Sequence, residues 1–239
     1  MKPARLDKLV SEAAGISRAQ AKAFIAAGKV EVNGVPCRDA QAKFQNPALV
    51  IAGQAVQHNK YVYLMLNKPV GVESATKGRA QNVRDLVAQA YPRRALFPAG
   101  RLDKASEGFI LMTDDGPLAH RILAPKSHLP KRYIVTLDTP FTSEMAQGFA
   151  EGVLLADGTL TQPASAQPMA DAHLCTVILH EGKYHQIKRM FGVFGAGVNA
   201  LKRVAIGPLE LDETLAPGQF RPLTAGELQA LVEAAAVSR

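Results

Sequence analysis

The chain has 239 residues, 28 Lys and Arg against 21 Asp and Glu, a formal charge of +7, a pI near 9.5, and 47% hydrophobic with 21% charged residues. This is globular composition: it excludes a disordered or fibrous chain, leaves no apolar stretch long enough to span a bilayer, and points to an anionic partner, most simply nucleic acid. Met1 to Asp7 lacks the apolar core of a signal peptide, so a cytoplasmic location is expected, and the distant Cys37 and Cys175 suit reduced thiols better than a disulfide framework.

Residues 1–60 hold nine basic side chains against four acidic ones, which is +5 of the +7. Two later windows, 116–132 and 182–203, are basic and free of acids, so a basic face is expected. In chain order, Leu6, Leu9, Val10 and Ala13 form a helical stripe that Gly15 ends, and Ser17 is placed to cap a second helix that stops at Gly28. Lys29 to Val32 alternates as a strand, Asn33-Gly34 is a two-residue hairpin signal, and Ala48 to Ile51 is a further short strand. Gln54 to Lys60 is polar and reads as a linker, so the expected boundaries are a module over 1–58 and a larger domain over 60–239.

Tyr61 to Leu66 is an apolar strand halted at Pro69, and the polar segment Val72 to Ala80 is expected to be a mobile loop. Asn82 is placed to cap a short helix. Two apolar runs, Ala95 to Ala99 and Gly108 to Met112, then read as buried strands with Gly100-Arg101-Leu102-Asp103 as the loop between them. That loop offers a glycine for a close turn, a guanidinium fork for phosphate, and a carboxylate at a strand end. Asp114-Asp115-Gly116-Pro117 is a turn into a helix with Pro117 at its first position, and His128 in the following basic loop suits phosphate. Lys131 to Leu137 is a strand, Thr142 opens a helix, Asp157-Gly158 is a hairpin turn, and Leu174 to Leu179 is another strand. A helix beginning at Lys183 buries Ile187, Met190, Phe191 and Phe194, which leaves Lys188 on its flank. Strands at 198–206 and 219–223 follow, and Thr224 to Glu227 forms a capping box before the last helix. The pattern predicts an α+β protein: a small N-terminal module of helices and a hairpin, then a larger, mainly antiparallel sheet with flanking helices.

Arg5 to Lys8, Ser17 to Ala21 and Gly28 to Gly34 together resemble the S-four RNA-binding domain. Gly100 to Asp103, Lys131-Arg132-Tyr133 and Gly182 to Met190 resemble three motifs of the pseudouridine synthases that modify ribosomal RNA. Met112 to Gly116 and His120 to Ile122 look closest to the branch acting on small-subunit 16S rRNA. The resemblance implies isomerisation of one uridine, uridine-516 in that branch, by exchange of the ribose bond from nitrogen 1 to carbon 5 of uracil, with no cofactor and no metal. It implies Asp103 as the catalytic carboxylate, acting either on the sugar or base covalently or by taking a ribose proton to give a glycal. It implies Lys188 as the cation beside Asp103 where relatives carry arginine, and Tyr133 as the ring on the target uracil. Arg101 is expected to fill the space left in the RNA by the flipped base. Arg5, Lys8, Arg18, Lys22, Lys29, Arg132, His185 and Arg189 are expected to meet the RNA, which makes the partner ribosomal RNA, within a small-subunit assembly particle, and the protein a monomer. Ala105 departs from the polar residue usual after the catalytic loop.

Other readings remain at this point: a large-subunit rRNA synthase, a ribosome-assembly protein that binds RNA without chemistry, and a metal-dependent enzyme using Asp103, Asp114 and Asp115. Turn chemistry accounts for the Asp114-Asp115 pair, and His180 with His185 lacks a third close zinc ligand.

Overall fold

The computed structural model describes residues 3–45, 47–56, 60–124 and 129–237; His128 lies outside them. The chain divides into two compact units, Met1–Val62 with Ala88–Ala95, and Tyr63–Val87 with Leu96–Arg239.

In the first unit, β1 (Ala4–Arg5) leads into α1 (Leu6–Ala14), which turns Leu6, Leu9 and Val10 inward and ends at Gly15 in the left-handed region, φ 66°. The helix α2 (Arg18–Ala26) opens on the expected cap: Gln20 N–H donates to Ser17 Oγ at 3.1 Å, and Ser17 N–H donates to Gln20 Oε1 at 2.8 Å. Strands β2 (Val30–Val32), β3 (Val35–Pro36), β4 (Lys43–Phe44), β5 (Leu49–Ile51) and β6 (Gln54–Val56) follow. The sheet runs β3-β2-β5-β6, and β4 pairs with β1 instead. Asn33 and Gly34 both have positive φ, 53° and 82°, as a two-residue hairpin turn requires. Ala52 and Gly53 repeat this with 51° and 80°, so β6 occupies the start of the expected linker. The linker reading followed polarity alone, whereas backbone pairing needs no apolar side chains on an edge strand. Leu6, Ile25, Val30 and Leu49 are all but fully buried in one cluster, each worth about 1.5–3 kcal/mol of burial.

The second unit contains β7 (Tyr63–Lys68), α3 (Val83–Ala88), β8 (Phe97–Pro98), β9 (Glu107–Thr113), α4 (Gly116–Leu123), β10 (Lys131–Leu137), α5 (Ser143–Glu151), β11 (Ser165–Pro168) and β12 (Leu174–Leu179). It continues with α6 (Gln186–Val193), β13 (Val198–Ile206), β14 (Leu209–Glu210), β15 (Phe220–Pro222) and α7 (Ala225–Val237). The sheet runs β11-β12-β10-β13-β9-β7-β15, with β14 on β13 and β8 on β9. Every pairing is antiparallel except β13 with β9. Phe109, Leu111, Leu118, Ile122 and Leu231 form a core between this sheet and the helices α4 and α7. Asp115 caps α4 by accepting from Leu118 N–H at 3.1 Å, and its other oxygen accepts from the Tyr63 hydroxyl at 2.7 Å. Gly116 takes the first helical position and Pro117 the second.

The C-terminal helix is held by charge as well as by its core face. Arg221 donates to Asp212 Oδ2 at 2.6 Å and to both oxygens of Glu227 at 2.8 Å. Hydrogen bonds from Thr214 and Arg221 lower Asp212 to about 2, and the Arg221 hydrogen bonds lower Glu227 to about 2. The unfolded carboxyls titrate near 4, so the unfolded chain binds more protons between about pH 5 and 2. The stability these two groups contribute is therefore complete above that window and lost as pH falls through it. Urea unfolding midpoints should decline across the window, and Arg221→Gln should flatten the decline; an identical decline in the variant would show that these groups do not carry it.

Candidate active site

Gly100 to Asp103 lies in the turn between β8 and β9, as the flanking apolar runs predict, although β8 is only two residues long. Gly100 has φ 100°, which favours glycine at the start of the loop. Four successive carbonyls of this loop have donors. The Arg101 carbonyl accepts from Arg203 Nη1 at 3.5 Å, and the Leu102 carbonyl accepts from Ser74 Oγ at 2.7 Å. The Asp103 carbonyl accepts from Ser106 N–H at 3.0 Å, and that of Lys104 accepts from Gly71 N–H at 2.8 Å. The hydroxyl of Ser74 also accepts from Leu102 N–H at 2.9 Å, so one side chain satisfies both backbone groups of the residue before Asp103. A loop with its backbone so fully engaged cannot drift, and its carboxylate is held in a defined position.

The first part of the segment expected to be mobile is fastened to this loop. Val72 and Ser74 are buried, Glu73 bridges to Asn82, and Glu73 reaches Lys104 at 3.7 Å. Sequence reasoning read its polarity as solvent exposure, which holds for Thr76, Lys77 and Arg79, whereas Ser74 and Glu73 reach the neighbouring loop. It also passed over Lys68. Its side chain is fully buried, with Nζ donating to the carbonyls of Pro69 at 2.9 Å and Val72 at 2.7 Å. Burial lowers its pKa to about 8, while the charges of Asp103 and Glu107 act in the opposite sense. A lysine at a strand end next to proline carries no sequence signal for such burial.

Asp103 is partly exposed, and His185 Nε2 lies 3.5 Å from its Oδ1. Lys188, the cation expected beside it, forms no ion pair with Asp103. Instead, α6 begins at Gln186 rather than Lys183, and His185 precedes it in the left-handed region with φ 48° and ψ 34°. Outside the helix, the imidazole turns back to the carboxylate. Such a conformation in a residue with a side chain costs on the order of 1 kcal/mol or more and is held by its surroundings. Here Gln186 accepts from Lys183 N–H at 2.9 Å and donates to Glu181 Oε1 at 2.6 Å, and Lys183 Nζ meets Glu181 Oε2 at 2.6 Å.

Tyr133 is buried on β10, opposite Val177 on β12 and Arg203 on β13, with a register shift beside it. Arg203 is 2% exposed; its Nε donates to the Phe109 carbonyl at 2.7 Å, and Nη2 has no partner among the described residues. Arg203 thus connects the strand facing Tyr133 to the Asp103 loop. Arg101 is exposed and, among the described residues, in no ion pair. The other expected RNA contacts differ in availability. Arg132 pairs with Glu210 at 2.8 Å, and Arg189 pairs with Asp157. Arg5 and Arg18 both donate to the buried Asp7, at 2.9 and 2.7 Å. Burial raises the Asp7 pKa, but these guanidiniums outweigh it and the net shift is downward, so Arg18 ties α2 to α1 and Arg5 braces the start of α1. Lys8 reaches Glu12 at 3.8 Å, whereas Lys22 and Lys29 are exposed and form no ion pair among the described residues. Among the described residues, no group of three or more His, Cys, Asp or Glu is placed to hold a metal ion.

The chain matches the family described as RNA pseudouridylate synthase over residues 62–192 and the S4 domain over residues 4–45. It is 43% identical to an uncharacterised RNA pseudouridine synthase of Bacillus subtilis (strain 168), covering 96% of this chain and 98% of that protein. Ribosomal small subunit pseudouridine synthase A of Salmonella typhimurium is 39% identical over 94% of this chain and 98% of its own length. A crystal structure of a pseudouridylate synthase superposes with TM-score 0.68 at 34% identity, covering 95% of this chain and 99% of that one. With an α+β fold, an S4 module and a match spanning the Asp103 loop, Tyr133 and α6, the chain belongs to the RNA pseudouridylate synthase family and is an isomerase.

Proposed function

We propose that the chain converts uridine-516 of 16S rRNA to pseudouridine within a small-subunit assembly particle, acting as a cytoplasmic monomer with Asp103 as its catalytic carboxylate. The observation that carries this reading is the Asp103 loop, fastened at four successive carbonyls with its carboxylate left open toward His185. Likeness to ribosomal small subunit pseudouridine synthase A supports the substrate. In the reaction the bond from ribose to nitrogen 1 breaks and the bond to carbon 5 forms; carbon 5 loses a proton and nitrogen 1 gains one. Asp103 acts at the ribose, and Tyr133 lies against the uracil, where a phenol both stacks and handles the carbon 5 proton. The buried Lys68 supplies positive charge near Asp103, His185 stands beside its carboxylate, and Lys188 serves the RNA from the flank of α6. Arg101, exposed and unpaired with any described acid, fills the space of the flipped base.

Carbodiimide treatment and primer extension on small-subunit rRNA test the site. A stop at the proposed uridine, absent from rRNA made without the enzyme and restored by adding it, supports the reading; a stop elsewhere, or none, refutes the target.

The S4 module adds electrostatic grip through Lys22 and Lys29. Replacing both with alanine should weaken RNA binding and reduce the slope of log affinity against log salt by about 1.5, since each lost phosphate contact removes roughly 0.7–0.9. An unchanged slope would place the module's phosphate contacts on other residues.

A further inference from the structure

Tyr184 is the most exposed large hydrophobic side chain among the described residues of the second unit, at 76%, and it stands one residue from the imidazole that meets Asp103. Its ring stacks on His185 with centroids 3.8 Å apart and an angle of 17° between planes. One face of the phenol is thereby covered, and the remaining surface is open to solvent. The turn beneath is braced, not loose: Glu181, Lys183 and Gln186 are joined by three hydrogen bonds of 2.6–2.9 Å, and Gln186 is itself buried. His185 is kept in its left-handed conformation by that turn, which sets the plane of the stack.

A large apolar ring left in water on a rigid support, beside the reacting carboxylate, has no role in the core. Each element of the arrangement suits an aromatic ligand instead. The platform is flat, preordered and already two rings deep, and stacking on it costs little side-chain entropy because His185 has fixed the tyrosine. Every RNA base presents a π face, and unstacked bases of single-stranded or opened RNA are taken up on such aromatic side chains.

We propose that Tyr184 is the stacking platform for an unpaired RNA base adjacent to the target uridine, with His185 as the second layer beneath it. This rests on the proposed function above and names where the neighbouring nucleotide goes once the target has left the helix. The uridine enters toward Asp103, and the base next to it, having lost a stacking partner, gains the Tyr184 ring in exchange. Stacking tolerates any base, so Tyr184 sets affinity and strand path rather than sequence.

The test uses the full-length protein and small-subunit RNA oligonucleotides with 2-aminopurine replacing each base flanking the target uridine in turn. Binding and fluorescence are read in the Asp103→Asn background, and turnover is read beside them with Asp103 intact. At one flanking position, the Tyr184 ring should quench 2-aminopurine on binding. Tyr184→Ala should abolish that quenching and weaken RNA binding about tenfold to a hundredfold. Tyr184→Phe should retain both, and Tyr184→Leu should lose the quenching, since it keeps apolar surface without a ring. Unchanged quenching and affinity in Tyr184→Ala, with turnover intact, would overturn the platform and leave the isomerase standing. No turnover by the wild-type chain on any ribosomal RNA would refute the isomerase itself, while quenching and affinity still decide on the platform.

Discussion

Asp103→Asn is expected to bind RNA with wild-type affinity and to form no pseudouridine. The amide has nearly the shape of the carboxylate, and the loop beneath is held through backbone groups that the change does not touch. Stability should stay within about 0.5 kcal/mol of the parent, as for partly exposed side chains generally. What disappears is the charge and the oxygen lone pair that act at the ribose. Removal of a residue of this kind lowers turnover on the order of 10^4-fold or more. Nucleoside analysis of rRNA after single-turnover incubation gives the rate, and filter binding gives the affinity. Turnover within tenfold of wild type would remove Asp103 from the chemistry; loss of RNA binding would make it a binding residue.

Gly108→Ala should be the most damaging single methyl in the second unit. Gly108 has φ 103°, a conformation that side chains rarely adopt, and it faces Arg203 across the parallel β9–β13 pairing. A Cβ there would approach the Arg203 backbone, 2.3 Å from its oxygen and 2.8 Å from its nitrogen. Neither atom can give way without parting the two strands. The loss should be several kcal/mol, on the order of 3–5, because backbone strain and a core clash act together. The site would suffer as well, since the same arginine holds the carbonyls of Phe109 and Arg101. A urea midpoint within experimental error of the parent would mean that β9 and β13 are not packed as described.

Much of this architecture is written locally in the chain. The Ser17 cap and the Thr224 capping box, the Asn33-Gly34 turn and the Asp103 loop between apolar runs each follow from a few adjacent residues, and each is found where expected. What the sequence does not show shares a cause: it depends on partners distant in sequence. Val72 to Ala80 is polar, and only the arrival of the Asp103 loop 28 residues later turns Ser74 into a buried clamp. Lys68 gives no hint of burial until β7 is set beside β9. His185 reaches Asp103 because a left-handed residue delays α6 by three positions, and nothing in helical periodicity reports that. Of the expected RNA contacts, Arg132 and Arg189 also pair with Glu210 and Asp157, pairings that require the folded sheet. The charge pattern identified cations, and tertiary structure shows which of them also pair with acids.

The most direct measurement is tritium release from small-subunit rRNA labelled at carbon 5 of uridine, with enzyme in stoichiometric excess. Exchange of the glycosidic bond to carbon 5 must expel that hydrogen, so the account requires close to one tritium released per rRNA molecule, and none from large-subunit rRNA. Absence of release from both free small-subunit rRNA and assembly particles would contradict it, leaving a protein that keeps the fold and binds RNA without isomerising it.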